Sequence, residues 1–187
     1  MANTYDKNKV TAGKPKVGGC IFRAPAGSTL PTDATKALDP TFKCLGYISD
    51  KGIEVSNSKD VKSIKAWGGD TVLTVQTGYE ETYKFSLIEA LNEEVLKTVR
   101  GDANVKGTLE TGLIVSTDSS DDVAHAYVIE QILNGNTLFR TVIPTAKVKE
   151  VGSVTYADGE EIKYEVTLAV EPNAGGKYHH EYYSKGA

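Results

Sequence analysis

The 187-residue chain is 40% apolar and carries a formal net charge of −4, which suffices for one core of ordinary size and points to a single domain. The missing basic surplus argues against avid capture of nucleic acid through its phosphates. No run approaches the roughly 20 apolar residues of a membrane helix, and the first stretch lacks the apolar core of a secretory signal, so a soluble, unexported product is expected.

Residues 1–41 are rich in Gly, Pro, Thr, Ala and Lys, with Val10, Val17, Ile21, Phe22, Leu30 and Leu38 as scattered apolar points and no sustained period. Such a stretch is too long for an ordinary loop inside a domain. It predicts either a flexible leader or an N-terminal arm that orders against something else, with Phe22 as an anchor. Cys20 and Cys44 are the only cysteines and no Cys-x-x-Cys spacing exists, so two reduced thiols are expected. Strand texture begins at Phe42 and runs to Ile48, the turn Ser49-Asp50-Lys51-Gly52 follows, and Ile53 and Val55 continue extended. Residues 56–70 are mostly polar, with Val61, Ile64 and Trp67 evenly spaced before Gly68-Gly69. That spacing fits a helical turn, a twisted strand or a protruding loop, and marks Trp67 as a core or interface anchor.

Residues 71–77 are extended with apolar groups on both parities, whereas Tyr83, Phe85 and Leu87 alternate cleanly. The period then changes. Leu91, Val95, Leu96 and Val99 take helical spacing, with Asn92 as N-cap, Glu93 and Glu94 in the first turn and Gly101 past the end, which predicts a helix near 92–100. Beyond it, residues 109–115 and 123–133 are expected strands joined by an acidic stretch, and Asn134-Gly135 signals a hairpin into residues 138–143. Residues 124–129 are apolar on both parities, so that strand should be covered on both sides. Residues 147–170 predict a long hairpin turning at Ala157-Asp158-Gly159-Glu160, with Ile162, Tyr164, Val166, Leu168 and Val170 on its dry face and Lys163, Glu165 and Thr167 on its wet face. A ribbon of that length offers more hydrogen-bonding edge than a small sandwich covers, which points to barrel closure or to pairing between subunits. The expected fold is mainly β: a β-sandwich or barrel with long hairpins and one short flanking α-helix.

Catalytic signatures are missing. His179 and His180 are adjacent, so on an extended chain they point to opposite sides and cannot share an ion. Asp118, Asp121 and Asp122 lack the alternating spacing and central Gly of a calcium loop. Glu80-Glu81, Glu93-Glu94 and Glu160-Glu161 sit at turns or a helix start, where acids are common. There is no Gly-x-Ser-x-Gly elbow and no phosphate loop. No catalytic residue, cofactor or metal ligand is assigned, and the chain is expected not to be an enzyme.

Three stretches resemble the major tail tube protein of long-tailed (siphovirus-like) bacteriophages. They are Ala24-Pro25-Ala26-Gly27-Ser28-Thr29-Leu30-Pro31-Thr32 with Leu45-Gly46-Tyr47-Ile48-Ser49, then Tyr83-Lys84-Phe85-Ser86-Leu87-Ile88-Glu89 with Asn92-Glu93-Glu94-Val95-Leu96 and Gly101, and last Ile143-Pro144-Thr145-Ala146-Lys147-Val148 with Asp158-Gly159 and Tyr164-Glu165-Val166-Thr167-Leu168. The resemblance implies a structural virion protein that self-assembles into stacked hexameric rings, forming a hollow tube for DNA delivery. It implies an arm over residues 1–41, a β-rich tube domain over 42–170 and a C-terminal segment over 171–187, with 1–41, 50–70 and 171–187 joining adjacent rings. Phe22, Leu30, Ile64, Trp67 and Tyr182 become candidates for contacts between subunits or rings, and Lys163, Glu165 and Thr167 for the lumen wall. Expected partners are copies of the chain, the tape measure, tail tip and terminator proteins, and genomic DNA in transit without tight binding, with no membrane. Expected location is the virion tail, after synthesis in the host cytoplasm. A different reading is a β-sandwich carbohydrate-binding or adhesion module that stacks sugars on Trp67 and the tyrosines.

Overall fold

The computed structural model describes residues 5–186. The first four residues of the expected arm, and Ala187 of the expected C-terminal segment, lie outside the described residues. In chain order the elements are β1 (Lys14–Pro15), β2 (Ile21–Pro25), β3 (Lys43–Cys44), β4 (Ile48–Lys65), β5 (Thr71–Leu87), α1 (Glu93–Arg100), β6 (Val105–Lys106), β7 (Ile114–Val115), β8 (His125–Leu133), β9 (Thr137–Val151), β10 (Tyr164–Val170) and β11 (His180–Lys185). One large antiparallel sheet runs β3-β2-β8-β9-β10-β5-β4, with β1 added on β8 and β11 on β9, while β6 and β7 pair separately. The fold is mainly β with one α-helix, as the hydrophobic periods predict.

Strand β9 is the spine. Its first half lies between β8 and β11, which pairs with residues 137–142, and its second half passes to β10 from Ala146 onward. Pro144 sits where one neighbour has ended and the next has not begun, beside the register irregularity opposite β8. A proline has no N–H to give a ladder, so an irregular handover is where a strand interior tolerates it. Residues 138–143 and 147–151, separate in the sequence reading, are therefore one strand.

The dry faces converge on one cluster. Ile21, Tyr127, Ile129 and Ile143 from one half of the sheet meet Tyr83, Phe85, Leu87, Val166 and Leu168 from the other, and Val95, Leu96 and Val99 of α1 close it. The helix begins and ends where its caps require: Asn92 accepts from the Glu94 amide at 3.0 Å, and Gly101 takes φ of 87°. Strand β8 is buried on both parities, because Ala126 and Val128 face a second cluster with Phe42 and Val142. Residues 20–45 order against the chain itself. β2 lies between β3 and β8, and Phe22, Leu30 and Leu38 pack on the second cluster. Burial pushes the Cys20 thiol up to about 11, which keeps it an unreactive small core residue.

Three expectations are corrected. The first is the strand over 42–48 with its turn at 49–52: only Lys43–Cys44 are strand there, and β4 begins at Ile48 and runs through 49–52 with a register shift before Ile53. Residues 109–115 contribute only Ile114–Val115, because the Thr108 and Thr111 side chains bond each other's backbone amides across the turn and Gly107 and Gly112 take positive φ. Residues 147–170 are not a tight hairpin. Gly159 does take positive φ, but residues 152–163 leave the ladder after the Gly152 amide bonds the Glu165 carbonyl, drawn off as Val154 and Ile162 pack on the core. The strand starts at Tyr164, so Lys163 lies outside it, and β10 has a neighbour of its own chain on each side. The incomplete border lies elsewhere.

Candidate assembly surface

The long unpartnered ribbon is β4–β5. It carries the Val61, Ile64 and Trp67 positions, and a twisted strand is thus the arrangement they adopt. β10 pairs with β5 only over Thr82–Leu87, so beyond Thr82 the two strands continue with no third neighbour. Every residue from 54 to 77 is exposed, so neither face of the ribbon is covered. The cross-strand pairs Lys62–Val75 and Ile64–Leu73 place Ile64, Leu73 and Val75 on one face. Val55, Val61 and Val72 are also exposed, and Trp67 stands fully exposed at the tip. Three glycines shape the tip and root: Gly68 and Gly69 turn it at positive φ, and Gly78 lies opposite Asp60, where the register shifts. The outer edge of β4 has no strand beside it among the described residues.

On the proximal part of the same face the ribbon continues into a polar wall. Glu54 pairs with Lys84, Ser56 with Thr82 and Ser58 with Glu80, and Thr167 and Glu165 of β10 extend the surface. Lysines here are matched by carboxylates: Lys84 to Glu165 at 2.8 Å, Lys147 to Glu171 at 3.5 Å, and Lys149 to Glu80. The Lys84–Glu165 hydrogen bond raises the ammonium's affinity for its proton and lowers that of the carboxylate, so the pair stays doubly charged. A cavity of ≈ 210 Å³ opens here between Ser56, Ser58, Glu80, Lys149 and Thr167.

Of the residues singled out from sequence, Glu165 and Thr167 share this wall, while Lys163 is exposed in the preceding loop beside Glu161 at 3.4 Å. Ile64 and Trp67 stand on the ribbon. Phe22, Leu30 and Tyr182 are half-buried against the second cluster of their own chain. His179 and His180 do point apart, the first to Glu81 at 2.6 Å and the second towards the Tyr182 ring at 6.3 Å.

Sequence reading missed the buried charges. Glu81, 1% exposed, accepts from Tyr79 at 2.8 Å as well as meeting His179. It shares a parity with Tyr83, Phe85 and Leu87, and that inward register was the available signal. Arg23, Asp102 and His125 form another group beside a cavity of ≈ 310 Å³ under α1. Arg23 meets Asp102 at 2.7 Å, and His125 Nδ1 lies 2.8 Å from the Val123 carbonyl, which can only accept. Nδ1 therefore donates to that carbonyl, and Nε2 lies 2.6 Å from Arg23 and 2.9 Å from Asp102. These contacts tie β2 and β8 to the helix end, while Arg23 Nε is buried without a hydrogen-bond partner among the described residues.

Residues 4–185 match the family model described as phage tail tube protein. The chain belongs to the phage tail tube protein family. A search of the curated proteins found no match. Membership makes the chain a structural protein of a virion tail, one that assembles with itself and with other tail proteins, and it makes the uncovered ribbon the leading candidate for the surface that does so. No helix among the described residues is long and apolar enough to cross a membrane.

Proposed function

We propose that the chain is a noncatalytic tail tube subunit that joins copies of itself into hexameric rings, that the rings stack, and that the resulting tube conducts the genome during delivery. The observation that carries this reading is the β4–β5 ribbon, apolar in places yet exposed on both faces from residue 54 to 77. A free two-stranded ribbon is marginal in water. A head-to-tail contact between identical chains covers such an element in every copy and, when its rotation closes, leaves no free edge. Ile64 and Trp67 then touch a neighbouring subunit, and Phe22, Leu30 and Tyr182 lie at ring borders with the N- and C-terminal segments.

In this reading Glu165, Thr167 and Lys163 face the lumen. A wall where Lys84, Lys147 and Lys149 are already held by carboxylates, with Glu54 and Glu150 in excess, weakens the capture of phosphates and lets DNA slide. Tape measure, tail tip and terminator proteins are the proposed partners at the tube's core and ends. Electron microscopy of concentrated protein, alone and with tail initiation proteins, should show rings or tubes, and a strict monomer under every assembly condition would overturn the proposal. The carbohydrate-binding alternative is weakened by the isolation of Trp67, which pairs with no other aromatic ring among the described residues.

A further inference from the structure

The ribbon leaves the body at a defined place, and the C-terminal segment crosses it there. The β10–β5 ladder ends where Ala169 lies opposite Thr82. The next inward residues of β5 are Glu81 and Tyr79, and Tyr178 and His179 lie against both. His179 Nδ1 meets Glu81 Oε1 at 2.6 Å, Tyr79 donates its hydroxyl to Glu81 Oε2 at 2.8 Å, and the Tyr178 ring meets the Tyr79 ring edge-on at 4.6 Å. Both oxygens of a carboxylate shut off from water are thereby occupied, and removal of either donor leaves it short. One residue later the chain enters β11, which is laddered to β9 from Val142 to Thr137.

From their shared level in the sheet, β9 read back towards Thr137 and β5 read back towards Thr71 run in the same sense, as the antiparallel order β9-β10-β5 requires. The ribbon and the β8–β9 hairpin are thus two prongs of a fork, and residues 178–180 span the crotch. Immediately beyond lies the Asp60/Val61 register shift opposite Gly78, where a bulge bends and loosens a ladder.

We propose that Tyr178 and His179 act as a brace: they bind the root of the ribbon to the β9 prong and so set the angle at which the ribbon is presented. Release of the C-terminal segment would let the ribbon swing at the Gly78 bulge. A partner that grips residues 171–186 would thereby change how the ribbon meets its neighbour. The brace is independent of what the ribbon binds, and only its consequence for assembly rests on the function proposed above.

The single tryptophan of the chain, Trp67, sits at the ribbon tip and reports the swing directly. Time-resolved anisotropy on dilute, unassembled full-length protein should show the amplitude of nanosecond segmental motion rise about twofold in His179→Ala and in Tyr178→Ala. His179→Gln, which keeps a donor for Glu81, should restore the wild-type decay, a rescue that simple destabilisation does not produce. Unchanged decays in both alanine variants, or equal loosening in His179→Ala and His179→Gln, would overturn the brace. Should His179→Ala fail to fold, Tyr178→Leu, which keeps the bulk and loses the ring edge, gives the same readout. Since no assembly is involved, a failed brace leaves the tube proposal standing, and a monomer that never assembles leaves the brace standing.

Discussion

Arg140 and Glu130 lie directly opposite on β9 and β8, and their ion pair is almost wholly shut off from water, with Arg140 Nε 2.8 Å from Glu130 Oε1. The guanidinium also donates to the carbonyls of Asp33 at 2.7 Å and Lys36 at 2.9 Å, and Lys16 reaches Glu130 Oε2 at 2.9 Å. One buried pair thus ties two parts of the N-terminal segment to the centre of the sheet. Removing one partner strands the other charge, so Arg140→Met should lower unfolding stability by about 3–5 kcal/mol. The double change to Arg140→Met with Glu130→Leu should lose less than Arg140→Met alone. Urea midpoints at constant m-value check both.

Burial and exposure separate folding from assembly. Leu168 is fully buried, so Leu168→Ala should cost about 2–5 kcal/mol. Ile64→Ser, on the exposed ribbon, should leave monomer stability within about 0.5 kcal/mol while reducing rings and tubes in electron micrographs. Normal tube yield from Ile64→Ser would remove that face from the interface.

The helix end has a distinctive acid response. Burial pushes the Asp102 carboxyl up, but Arg23 and His125 outweigh it and hold it below the ordinary value. The stabilisation is present above the unfolded-state value near 4 and is lost as pH falls through the depressed folded-state value. Asp122 is the opposite case: burial raises it, so its charge opposes folding and acidification relieves it. Asp102→Asn should lower stability at neutral pH and flatten its fall in strong acid, and Asp122→Asn should raise stability at neutral pH. Denaturant titrations from neutrality to about pH 3 test both signs.

The wall makes a salt-dependent prediction. Glu80→Gln with Glu165→Gln frees Lys149 and Lys84 from their carboxylates. Assembled tubes of this variant should retain duplex DNA at low ionic strength more than wild-type tubes do, and release it as salt rises. Equal retention by both would place this face away from the DNA path.

Residue pattern by itself determined the β class, the single helix with its Asn92 and Gly101 ends, and the double-sided burial of β8. These depend on periods and caps, which are local along the chain. The tertiary structure decided which ribbon stands alone: β10 alternates strictly yet is enclosed by β9 and β5, whereas the polar and irregular residues 54–77 project with their open edge. Alternation reports that a strand has one dry face, and says nothing about whether its edges are occupied. The same holds for Glu81, Glu130 and Arg140, whose partners lie on distant segments, so only the assembled sheet shows that these charges are buried and what satisfies them.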